Sequence, residues 1–74
     1  MKDLNNKEKL KFIENLRAIR LSKKLTQKDV ATALLLPIST YTNWELGRTE
    51  PSIQEIFRII KFFEIEANDL FDID

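Results

Sequence analysis

Apolar residues recur along this chain at the spacing of one helix face. Phe12, Ile13, Leu16 and Ile19 stand three and four apart and predict a first helix whose buried stripe they form. Asn5, with Glu8 three residues on, has the spacing of a capping box and opens that helix. Lys23 and Lys24 place positive charge near its last carbonyls. Thr26 with Asp29 then caps a second helix, whose apolar face is Val30, Ala31 and Leu34. A third begins near Pro37, where a fixed φ suits the first helical turn, and turns Tyr41, Trp44 and Leu46 inward. Gly47 sits where a helix end favours a left-handed residue, and Glu50-Pro51 forbids continuation. Ser52 with Glu55 is a capping box for a fourth helix, with Ile53, Ile56, Phe57, Ile60 and Phe63 as its expected buried face. A short last helix is expected over Ala67 to Phe71, before the acidic end Asp72-Ile73-Asp74. The expectation is an all-α chain of five helices, the second and third short and closely connected.

Composition narrows what such a bundle can be. The 74 residues suit a single domain, 1–74, read as the whole protein. There is no Cys and no His, so disulfides and thiolate or imidazole metal sites are excluded, and helix packing must hold the fold. No cofactor, metal or small-molecule ligand is expected. No Ser, Lys or carboxylate has a His or Cys partner, and no Gly-rich loop could cradle a phosphate, so an enzyme has little support. Asp69, Asp72 and Asp74 lack the spacing of a calcium loop. No apolar run approaches a membrane span and MKDLNNKEKLK lacks a signal-peptide core, so the expected location is cytoplasmic with no membrane partner.

The charges sum to zero but are not evenly spread. Residues 1–48 hold ten Lys and Arg against five Asp and Glu, whereas 49–74 hold two against seven. The first part is thus five charges positive and the second five negative. The positive part contains the pair of short helices from Thr26 to Pro51. Two short helices joined by a tight turn, the second with small polar residues on its free face, describe a helix-turn-helix over about 26–46. Phosphate neutralisation supplies much of the affinity for DNA, which makes this charge distribution more informative than the sum.

These residues resemble the Cro/C1-type helix-turn-helix family of phage repressors and small bacterial regulators. The resemblance runs from about Leu16 to Phe71. It is carried by Leu16…Ile19-Arg20, Leu25-Thr26-Gln27 with Val30-Ala31, Tyr41…Trp44-Glu45 with Gly47, Pro51-Ser52 and Asn68-Asp69-Leu70-Phe71. It implies a five-helix lambda-repressor-like fold whose helices 2 and 3 form the motif. Ile38, Ser39, Thr42 and Asn43 then match positions that read bases. Gln27, Pro37, Thr40, Arg48, Thr49 and Arg20 match positions at the DNA backbone. Asn43 can bond adenine N6 and N7 together, whereas Ile38 offers only apolar contact, for example to a thymine methyl. In the family, an arginine and a glutamate at the positions of Arg20 and Glu45 commonly pair, joining the first helix to the reading helix. The chain departs from the family where Lys24, Leu35 and Glu64 stand at positions usually held by Gly. Either those turns differ or the core tolerates left-handed residues there, at roughly 1 kcal/mol each. Leu35 is also more apolar than a turn requires.

The expected function is a sequence-specific transcriptional regulator, a repressor, bound as a homodimer to a two-fold symmetric stretch of double-stranded DNA. In size and helix count the chain resembles restriction-modification controller proteins. Phe62, Leu70, Phe71 and Ile73 are candidates for a self-complementary patch, with simple packing of Phe62 on the last helix as the alternative. Tyr41 and Trp44 read as core rather than as a stacking platform. The rival function is the same fold binding a protein partner, in the manner of an antitoxin or a sequestering regulator. Zero net charge, Leu35 and Ile38 favour it, while the positive first part, Gln27, Ser39, Thr42 and Asn43 favour DNA.

Overall fold

A computed structural model of the protein describes residues 6–72, and those residues form five helices and no strand. They are α1 (Asn6–Ser22), α2 (Gln27–Ala33), α3 (Ile38–Leu46), α4 (Ile53–Phe63) and α5 (Ala67–Phe71). Their starts follow the local chemistry read above. The Thr26 hydroxyl accepts from the Asp29 amide at 3.0 Å, and the Asp29 carboxylate accepts from the Thr26 amide at 2.9 Å. Ser52 and Glu55 exchange the same pair of bonds at 3.1 and 2.8 Å. The amide of Glu66 donates to the Asp69 carboxylate at 2.8 Å and fixes the start of α5. Asn5, expected to cap α1, lies outside the described residues.

One core holds the helices together. Phe12 and Leu16 from α1, Val30, Ala31 and Leu34 from the second helix and its end, Tyr41 and Trp44 from α3, Ile59 and Phe63 from α4 and Leu70 from α5 are all buried. α1 packs against both α3 and α5, and α2 packs against α3. The Asn15 side-chain amide donates to the Leu70 carbonyl at 2.8 Å, and Phe71 stacks on Phe12 with ring centroids 5.5 Å apart, so the short α5 is docked on α1. The Tyr41 and Trp44 rings meet edge to face inside this core, 5.9 Å apart.

The helix ends share one device. At the close of α1, α2, α3 and α4 a left-handed residue lets its own amide and the next one reach back to the last turn, as in a Schellman motif. Leu25 donates to the Arg20 carbonyl at 3.2 Å, Leu36 to Ala31 at 2.8 Å, Arg48 to Asn43 at 2.9 Å and Ile65 to Ile60 at 3.1 Å. The left-handed residues are Lys24, Leu35, Gly47 and Glu64, with φ of 58°, 59°, 76° and 56°. The three turns that lack Gly therefore keep the geometry that Gly would adopt. Each is followed by a half-buried apolar residue, Leu25, Leu36 or Ile65, packed against the core. That apolar anchor holds the turn closed and offsets the backbone cost at the residue before it. Leu35 is 84% exposed, so its side chain contributes nothing to the core. Leu35→Gly removes a left-handed cost of about 1–2 kcal/mol and adds about 0.5–1 kcal/mol of chain entropy to the unfolded state. Urea melts of this variant are expected to show a net gain of about 0.5 kcal/mol.

Three residues expected to be buried are exposed, and one expected at the surface is buried. Leu46 is exposed, because it lies on the last turn of α3 beyond the Tyr41–Trp44 stripe. On α4 the buried positions are Ile59 and Phe63, with Ile56 and Ile60 half-buried, while Ile53 and Phe57 face solvent. The core-facing stripe of α4 is centred on Ile59, which places Phe57 two residues away on the opposite side, 65% exposed. Ile53 opens the first turn and extends past the core. Leu70, a candidate for a self-complementary patch, is 0% exposed and is a core residue, so it has no surface to offer a second copy. Ile73 lies outside the described residues.

Candidate nucleic-acid interface

A row of polar contacts joins the first three helices. Arg20 Nε of α1 donates to Glu45 Oε2 of α3 at 2.7 Å and its Nη2 to Oε1 at 3.1 Å, a two-pronged pairing of guanidinium and carboxylate. Its Nη1 donates to the Leu25 carbonyl at 2.9 Å, in the connection to α2. Gln27 Nε2, at the start of α2, donates to Glu45 Oε1 at 3.0 Å. The Thr42 hydroxyl donates to Gln27 Oε1 at 3.1 Å, which returns the network to α3. Glu45 is thus held from α1 and α2 at once, and its side chain is only 4% exposed. Burial alone would raise the Glu45 carboxyl. The bonds from Arg20 and Gln27, with the Tyr41 hydroxyl close by, outweigh it and keep the carboxyl below the usual carboxylate range. Burial, and then the neighbouring Glu45, push the Tyr41 phenol above its ordinary value; its hydroxyl makes no hydrogen bond to the described residues.

This network fixes α3 against α2. A second clasp comes from α4, where the Arg58 guanidinium donates to the Leu34 carbonyl at the end of α2. A cation at a helix C-terminus meets the free carbonyls and the negative end of the dipole. Nothing in the local pattern around Arg58 announces this contact, since its partner is 24 residues away.

The residues expected at DNA differ in their surroundings. Ser39 is exposed and Asn43 half-buried, and the side chain of neither bonds to another described residue. Ile38 opens α3 and is 47% exposed, and Pro37 before it is exposed as the residue preceding the helix. Thr42, Gln27 and Arg20 are engaged within the protein, although Gln27 keeps a second amide hydrogen beyond its bond to Glu45. Thr40 is half-buried in the first turn of α3. Arg48 and Thr49 follow the left-handed Gly47, both exposed, with their backbone amides directed to the Asn43 carbonyl. The structure therefore brings Arg20, Gln27, Thr42 and Glu45 together and leaves Ile38, Ser39 and Asn43 outside that network. Among the described residues no helix is long and apolar enough to cross a membrane, and no acidic cluster could hold a metal ion.

Comparison with known proteins places this geometry. The helix-turn-helix family profile matches residues 16–70. The chain is 35% identical over 65 residues to the HTH-type transcriptional regulator MJ0272 of Methanocaldococcus jannaschii, covering 88% of this chain and 89% of that protein. It is 36% identical over 59 residues to the HTH-type transcriptional regulator YqaE of Bacillus subtilis, covering 80% of this chain and 51% of that one. It is 31% identical over 61 residues to the HTH-type transcriptional activator BcrR of Enterococcus faecalis, covering 82% of this chain and 30% of that one. The chain thus spans about half or less of the length of the last two. No solved structure matches it significantly. With α2 and α3 joined by a tight turn, Arg20 paired to Glu45, and a family match over most of its length, the chain belongs to the Cro/C1-type helix-turn-helix family.

Proposed function

We propose that the protein is a sequence-specific DNA-binding transcriptional regulator that lays α3 in the major groove of double-stranded DNA. The observation that carries this reading is the contrast on α3. The helix is clasped to α1 and α2 through Glu45, yet Ser39 and Asn43 keep their hydrogen-bonding groups free. A helix held rigidly with unpartnered polar side chains suits base recognition, because the reading groups need no internal bond broken before they bind. Ile38, Ser39, Thr42 and Asn43 face base edges in this reading. Gln27 uses its second amide hydrogen on a phosphate, and Pro37, Thr40, Arg48, Thr49 and the rim of Arg20 lie along the backbone. The positive excess over residues 1–48 attracts the duplex, and the acidic residues after 48 stay away from it.

The regulator acts as a homodimer on a two-fold symmetric operator with half-sites about one helical turn, roughly 34 Å, apart. Burial of Leu70 moves the candidate self-contact to other apolar surface. Phe62 and half-buried Phe71 remain, and exposed Phe57 and Ile53 on α4 join them. One relative is named as an activator, so family membership does not fix the sign of regulation.

Selection of bound duplexes from a random pool at two salt concentrations tests the whole reading. A consensus with two-fold symmetry, and affinity falling steeply as salt rises, is the expected result. Absence of any preferred duplex would favour a protein partner instead. On the selected duplex, Asn43→Ala is expected to lose about 1–3 kcal/mol of discrimination at one base position of each half-site. Gln27→Ala is expected to weaken all sequences alike. Competition binding against single-base variants of the duplex separates the two outcomes.

A further inference from the structure

We propose that Ile38 is a reader of the 5-methyl group of pyrimidines, so that each half-site contains one position selected for a methyl rather than for a hydrogen-bond pattern. This rests on the DNA-reading function proposed above and names what one position of that surface recognises. Ile38 is the first residue of α3 and is 47% exposed. It is absent from the core and from the half-buried residues packed against the core, so the fold does not account for its apolar side chain. It lies beside Ser39, in the turn that leads to Asn43, and so continues the surface carrying the free polar groups. The charge of residues 1–48 suits a polyanion against that surface.

The side chain has no donor or acceptor and cannot read a base edge by hydrogen bonding. In the major groove the apolar feature a base offers is the C5 methyl of thymine. Ile38 is also well shaped for that contact. Branching at Cβ restricts its first side-chain torsion in a helix to one dominant rotamer, so little freedom is lost when the methyl docks. Cytosine methylated at C5 presents the same group at the same place in the groove. A hydrogen-bonding reader separates thymine from 5-methylcytosine, whereas a purely apolar reader does not. Ile38 therefore makes binding responsive to cytosine methylation at its own position.

The test uses the duplex recovered from the random pool, with each thymine of one half-site replaced in turn by uracil. One position is expected to lose about fourfold in affinity, the worth of one buried methyl-sized group. At that position, cytosine and 5-methylcytosine are then compared, each paired with guanine. The methylated form is expected to bind about fourfold tighter, the same contact restored. In Ile38→Ala both differences are expected to vanish at that position while uracil effects elsewhere stay unchanged. Ile38→Val, which keeps the branch and loses one carbon, is expected to retain part of both. Circular dichroism of each variant should match the parent, because Ile38 lies outside the core. Methyl discrimination that survives in Ile38→Ala overturns the proposal, as does a selected duplex in which no thymine responds to uracil. Failure to recover any preferred duplex overturns the DNA reading as well, so the two failures are distinguishable.

Discussion

Arg20→Ala is expected to cost about 3–5 kcal/mol of folding stability, the typical penalty for removing one partner of a buried ion pair. That is a large share of the total for a domain this small. The size of the effect follows from what stays behind. The Glu45 carboxylate is 4% exposed and would keep only the Gln27 amide as a donor, and the Leu25 carbonyl would lose its bond from Nη1. Intact, the pair contributes little net stability, because desolvation of both ions offsets their attraction. Glu45→Gln in the Arg20→Ala background should therefore recover part of the loss by removing the stranded charge. Thermal melts of the four proteins in this cycle give the coupling directly. Equal destabilisation by the single and double variants would show that packing, and not the charge, dominates.

The same pair predicts a pH dependence of stability. In the parent, Glu45 titrates below its ordinary value of 4.5. Its contribution is fully present above that value and is lost as pH falls through the lower folded value, because the unfolded chain then binds the proton more readily. Acid should weaken the parent. Without Arg20 the carboxyl loses a contact that lowers it, while burial still raises it against the bond from Gln27, so its folded value moves up. Acid should then weaken Arg20→Ala less than it weakens the parent. Urea melts at a series of pH values from neutral to below 4.5 would show the shallower slope in the variant.

The parts of this fold that were legible in the sequence are those set by neighbours a few residues apart. Thr26 with Asp29 and Ser52 with Glu55 satisfy helix amides within one turn, and Ala67–Phe71 was bounded by its own short pattern. The left-handed turns stood out only as departures from the Gly usual in the family, and Lys24, Leu35 and Glu64 each adopt that geometry ahead of an apolar residue packed on the core. Spacing alone could not centre the stripe of α4, because Ile53, Ile56, Phe57, Ile59 and Ile60 offer two overlapping apolar faces. Which face turned inward was decided by the helices that α4 meets. Leu70 looked as available as Phe62 until α5 docked on α1 through Asn15 and Phe12. At the site, residue types pointed to Gln27 and Thr42 as DNA contacts. Their mutual bond, and the contact of Arg58 with Leu34, join residues 15 and 24 apart and leave no local signature.

Gly47→Ala is expected to destabilise the protein by about 2–3 kcal/mol, in contrast to the tolerance of Lys24, Leu35 and Glu64 for the same backbone geometry. Part of the loss is the left-handed conformation itself, φ 76°, at about 1–2 kcal/mol for a residue with a Cβ. The rest is local to this turn. A Cβ on Gly47 would stand 2.7 Å from Ile13 Cδ1, whereas Lys9 Cε at 3.7 Å is an ordinary contact. Ile13 must rotate or shift to make room, which costs about 0.5–1.5 kcal/mol for a displaced torsion. Ile13 belongs to α1 and Gly47 ends α3, so the displacement falls on the packing of α3 against α1. Ile13→Val removes the obstructing Cδ1 and should relieve the steric part while leaving the backbone part in place. A double-mutant cycle of Gly47→Ala with Ile13→Val is thus expected to give a favourable coupling of about 1 kcal/mol in urea melts. Additive losses would place the whole penalty in the backbone and remove Ile13 from the account. Gly47 also sets the direction in which the chain leaves α3 toward Arg48 and Thr49. If those residues lie along DNA, the Ala variant should lose affinity uniformly across sequences even at temperatures where it is fully folded.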